Sequence, residues 1–146
     1  MGNKSYGFSG SLSGDQTIRD VGAGNNKCNL LVANAYAIGA GIGSGGDSGV
    51  PVQSTTAGSL LGLANPPAAN DWADPSRALG MFSLTSSPGV GDIAAFPHPG
   101  GQGHSGLVLG NGLMIYAGPT DVKINTIDDT QRALRAKAVV FREYGQ

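Results

Sequence analysis

The chain has 146 residues, a formal net charge of −1 and a single cysteine. That length suits one domain with its own core, and the near-neutral charge without a basic run excludes a nucleic-acid footprint. One cysteine excludes an intrachain disulfide framework and a thiolate-rich zinc site, and no apolar stretch nears the roughly 20 residues needed to span a bilayer.

Twenty-five glycines and 13% charged residues, against 40% hydrophobic, predict an ordered but loop-rich fold with little helix. Residues 1–24 are polar and glycine-rich, with Leu12, Ile18 and Val21 as apolar anchors, and predict a loosely packed lead-in. Met1 to Tyr6 carries no apolar h-region, so no Sec-type signal peptide is expected. Gly24-Asn25-Asn26 then reads as loop and cap, with Asn25 or Asn26 at the N-cap. Cys28, Leu31, Val32, Ala35 and Tyr36 recur at spacings of three and four, which predicts a helix with one buried stripe, stopped by Gly39 and Gly41.

Six glycines between residues 39 and 49 predict a loop. They follow a helix and lack the lysine of a P-loop, so no nucleotide site is expected. A short helix is predicted over 56–63. A second is predicted within Pro66–Pro75, opened by proline and ended before Pro75, with Trp72 partly buried. From Pro88 the pattern turns to strands: Ile93–Phe96, Ser105–Leu109, Leu113–Tyr116 and Asp121–Ile127, then a helical turn through Leu134 and a strand at Ala138–Phe141. Asn111-Gly112 is a strong hairpin signal. About five antiparallel strands behind a helix-bearing N-terminal half give an α+β class in one domain, 1–146.

A thiol in the first turn of a helix meets unpaired backbone donors and the positive end of the dipole, both favouring thiolate. Free cysteine is also among the most buried residue types, so Cys28 reads at this point as either a nucleophile or a small core residue. A cysteine nucleophile needs a base and usually a group that orients the base. His98 lies between two prolines in a loop, whereas His104 follows Gly103 and opens a strand, where rigid backbone holds its ring. Cys28, His98, His104 and an aspartate lack a familiar metal-ligand spacing, so no metal and no cofactor is expected.

Gly91-Asp92-Ile93-Ala94-Ala95-Phe96, followed by the run from Gly103-His104-Ser105-Gly106 to Asn111-Gly112 and Tyr116-Ala117, resembles the second half of the NlpC-type cell-wall cysteine peptidases. Asn26-Lys27-Cys28-Asn29-Leu30-Leu31-Val32 resembles their nucleophile segment. That segment together with Pro66-Pro67-Ala68-Ala69-Asn70-Asp71-Trp72-Ala73-Asp74-Pro75 is similar to peptidoglycan amidase effectors of type VI secretion systems. The resemblance covers residues 24–36 and 66–117. It implies a papain-like fold in which a nucleophile helix packs on the sheet, with Cys28 as nucleophile and His104 as base.

The third catalytic position departs from the pattern. The family carries histidine, asparagine or glutamine twelve residues after the base, and here that residue is Tyr116. Asp121 or a backbone carbonyl of residue 116 or 117 is the alternative orienter. By resemblance, the protein is a cysteine amidase or endopeptidase hydrolysing peptide bonds of bacterial peptidoglycan. It is further expected to be exported without a Sec signal, to act in the periplasm or cell wall of a target bacterium, and to have a cognate immunity protein. It is expected to bind neither nucleic acid nor membrane. The rival expectations are an inert wall-peptide-binding module and another Cys–His acyl-transfer toxin of deamidase or transglutaminase type.

Overall fold

The structure is a computed structural model that describes residues 6, 7, 10, 27–39 and 67–145. Expectations for the rest of the lead-in, for the glycine-rich run after Gly39 and for a helix over 56–63 lie outside the described residues. The described elements are α1 (Cys28–Gly39), α2 (Ala69–Trp72), β1 (Phe82–Leu84), β2 (Ile93–Phe96), β3 (His104–Gly110), β4 (Leu113–Ala117), β5 (Val122–Thr126), α3 (Ile127–Leu134) and β6 (Val140–Tyr144). The strands form one antiparallel sheet in the order β1-β6-β2-β3-β4-β5. The class is α+β.

Local chemistry accounts for the element ends. Asn111 and Gly112 both take positive φ, 53° and 73°, the pair a two-residue type I′ hairpin needs, and they join β3 to β4. Thr126 caps α3 by accepting from the Asp129 N–H at 3.0 Å, and Asp128 and Asp129 sit at the positive end of its dipole. In α2 the Asp71 carboxylate accepts from the Ala68 N–H at 2.9 Å.

The core lies on both faces of the sheet. On one face Ile93 and Ala95 meet Val32, Trp72, Leu79 and Phe82, with Tyr36 and Leu107 alongside. Tyr36, Trp72 and Tyr144 all pack edge-on against the Phe82 ring, with centroids 4.8, 4.8 and 5.3 Å away. On the other face Ala94 and Phe96 meet Val108, Met114 and Ile127, with Tyr116 and Phe141 beside them. Covered from both sides, β2 is buried at all four positions, so it reads as an unbroken apolar run.

Four expectations need correction. Among the described residues the sheet has six strands where about five are expected: Phe82–Leu84 pairs with β6, and three residues are too few to show a period of two. The Leu31 N–H donates to Lys27 O at 2.9 Å, which makes Lys27 the cap of α1 in place of Asn25 or Asn26. The helix also buries Leu30 and Ala33 beside Val32, wider than one stripe, because it packs against β3 and β4 together. Trp72, only 1% exposed, is a fully buried anchor.

Candidate active site

Lys27 and Cys28 stand at the start of α1, and His104 at the start of β3. Gly103 turns the chain into β3 with φ of +71°, and a side chain there would meet Asn70 Oδ1 at 2.5 Å. Glycine is thus required immediately before His104 both by backbone conformation and by space. Asn70 holds the approach to this strand. It accepts from the His98 N–H at 2.9 Å and donates to Gly101 O at 2.7 Å and to His98 O at 3.3 Å. Asn29 ties the other wall, donating from its amide to Pro67 O at 3.1 Å.

These elements frame a cavity of about 300 Å³ lined by Lys27, Cys28, Gly103, His104, Tyr116 and Ala117, and by Asn125 of β5 and Thr130 of α3. Cys28 and His104 therefore share one cavity. Cys28 is 6% exposed and packs with Ala69 and Ala117, with Tyr6 and Leu31 beside it. Burial pushes its thiol up from the ordinary value. The opposing influences are the Ser105 main-chain N–H and hydroxyl and the N–H groups of Asn29 and Cys28, all of which favour thiolate. His104 is half-buried between the rings of Phe96 and Tyr116, and burial lowers its pKa to about 4. The thiol and the imidazole are both neutral at pH 7.

Tyr116 reaches His104 ring to ring, centroids 4.7 Å apart and planes at 82°, so it touches the imidazole by an edge-to-face packing contact. Asp121 lies in the turn after β4, where its carboxylate accepts from Thr120 Oγ1 at 3.4 Å and its carbonyl from the Gly118 N–H at 2.8 Å. It is outside the lining of the cavity. Among the described residues no hydrogen bond reaches the His104 ring, whether from Tyr116, Asp121 or a carbonyl; its contacts are with the rings of Phe96 and Tyr116. His98 is exposed in the loop after β2 and also lies outside the cavity. No group of three or more His, Cys, Asp or Glu among the described residues is arranged to hold a metal.

Two residues at the site escaped sequence reasoning. Lys27 is fully buried, with its ammonium donating to Gly7 O at 3.0 Å. Burial lowers its pKa. The available signal was a charge immediately before a helix start. Ser105 is also fully buried, and its signal was a hydroxyl inside an otherwise apolar strand. Among the described residues, no helix is long and apolar enough to cross a membrane. Comparison with protein-family models, with curated proteins and with solved structures finds no match for the chain.

Proposed function

We propose that the protein is a papain-like, NlpC-type cysteine amidase or endopeptidase that hydrolyses peptide bonds of bacterial peptidoglycan. The reading rests on one observation: a cysteine at a helix start and a histidine at a strand start line the same cavity. In this reaction the neutral His104 imidazole takes the Cys28 proton as the sulfur attacks the amide carbonyl. The carbonyl oxygen gains the negative charge next to the unpaired N–H groups at the start of α1. The imidazolium then gives its proton to the departing amine, and an acyl-thioester remains on Cys28. Water, deprotonated by His104, hydrolyses it and releases the acid and the free thiol. Burial of both groups favours this general-base route over a resting thiolate–imidazolium pair.

The substrate class, delivery by type VI secretion to the periplasm of a target cell, and a cognate immunity protein over the cavity all rest on the sequence resemblance. Peptidoglycan sacculi incubated with the protein should release new free amino groups, and Cys28→Ala should abolish that release. A fully active Cys28→Ala variant would sink the proposal.

A second reading is a catalytically inert module that grips wall peptide in the same cavity. The raised Cys28 thiol pKa, and the lack among the described residues of a hydrogen-bonded orienter on His104, favour it. The two readings separate on sacculus binding without release of amino groups.

A further inference from the structure

Four polar or charged residues are buried among the described residues: Lys27, Ser105, Thr130 and Arg142. Three of them spend their hydrogen bonds on carbonyls: Lys27 on Gly7 O, Thr130 on Thr126 O and Arg142 on Trp72 O. The hydroxyl of Ser105, at 0% exposure, has no hydrogen-bond partner among the described residues. Serine is not needed there for its size, because alanine fills the neighbouring buried positions 94, 95 and 117. Burying an unpaired hydroxyl is costly, so its presence asks for a state in which it is paired.

The surroundings supply one. Ser105 pairs with Ala95 across β2–β3 and shares with it the face of the sheet that α1 covers. Cys28 packs with Ala117 at the end of the adjoining strand β4, and its sulfur lies within the influence of both the Ser105 N–H and the Ser105 hydroxyl. Ser105 does not line the cavity, so it reaches no ligand bound there.

We propose that Ser105 is a positioning residue for the nucleophile, its hydroxyl donating to the Cys28 sulfur from behind when the sulfur becomes a thiolate. A neutral thiol is a weak acceptor, which leaves the hydroxyl idle in the resting protein; a thiolate is a strong one, so the bond forms as charge develops. The contact therefore stabilises the reacting state over the ground state. This inference deepens the peptidase reading and rests on it for its meaning. The titration that tests it requires no substrate.

The test is the rate of Cys28 alkylation by iodoacetamide across pH, in the unmodified protein and in Ser105→Ala, with thermal midpoints measured beside it. The expected result is an upward shift of the thiol midpoint by about one pH unit in Ser105→Ala, with alkylation at neutral pH about tenfold slower. The thermal midpoint should stay unchanged or rise, since alanine removes the unpaired hydroxyl. Should sacculus hydrolysis be observed, kcat falls and KM holds. Coincident alkylation profiles in the two proteins overturn the assignment. So does a Ser105→Ala protein that loses stability, because the hydroxyl then serves the fold. Failure of the peptidase reading is visible elsewhere, in sacculi left intact or cut equally by Cys28→Ala.

Discussion

His104 concentrates the electrostatics of the site in one side chain. Flanked by Phe96 and Tyr116, it is more easily kept neutral than charged, and its pKa falls to about 4 from the ordinary 6.5. An unfolded chain protonates this imidazole below pH 6.5, whereas the folded protein resists until about pH 4. Between those values the unfolded state binds the extra proton, so stability falls as pH drops through the window and levels off beneath it. Denaturant titrations at a series of pH values should show a loss of about 3 kcal/mol across this window, an order-of-magnitude figure. His104→Gln should remove most of that slope; an equal slope in the variant would assign it to other groups. The sequence made His104 legible, since a histidine opening a strand after glycine is held by backbone on both sides. It left the contact with Tyr116 unreadable, because whether a phenol bonds or stacks depends on angles between two strands.

At the scale of elements, two asparagines span the distances that hydrophobic contacts do not. Asn70, on the short helix α2, binds both ends of the loop after β2 through one acceptor and two donor contacts. Asn29, one residue past Cys28, fastens α1 to Pro67. Asn70→Ala should cost about 0.5–1.5 kcal/mol, since the exposed His98 N–H and Gly101 carbonyl it frees can turn to water. It should also speed hydrogen exchange at the His98 amide well beyond the exchange of β3, a contrast that a uniform loss of stability would not produce. Both helices and the loop were legible in the sequence from proline, glycine and apolar spacing. Their tethers were not, since the acceptors are main-chain atoms about thirty residues away and any residue type supplies those.

At the scale of the molecule, Arg142 joins the two halves. It is 2% exposed, and its guanidinium donates to Trp72 O at 2.9 Å, Asp74 O at 2.5 Å and Arg77 O at 3.1 Å. One side chain on β6 thus gathers the carbonyls at and just beyond the end of α2, while the Trp72 ring packs edge-on against Phe82 of β1. Arg142→Met should lower stability by about 3–5 kcal/mol, because it strands three carbonyls at once. A thermal midpoint unchanged within error would show that water replaces the guanidinium. The apolar run Ala138–Phe141 marks a last strand in the sequence, but β6 runs from Val140 to Tyr144, and nothing in that apolar run marks Arg142 beyond it as an inward-facing strand residue. Strand order was equally hidden: β2, β3, β4 and β5 neighbour in sequence order, but β6 inserts between β1 and β2.

That insertion bears on how the protein is made. Cys28, His104 and Tyr116 leave the ribosome well before residues 140–144, and until those arrive β2 lacks one of its two neighbours and β1 has no strand to pair with. Such late, long-range pairing carries a loop-closure cost that local hairpins escape. A chain short of β6 carries Cys28 and His104 beside a sheet whose β2 has one open edge, so the strand made last completes the support of β2 and, through it, of β3.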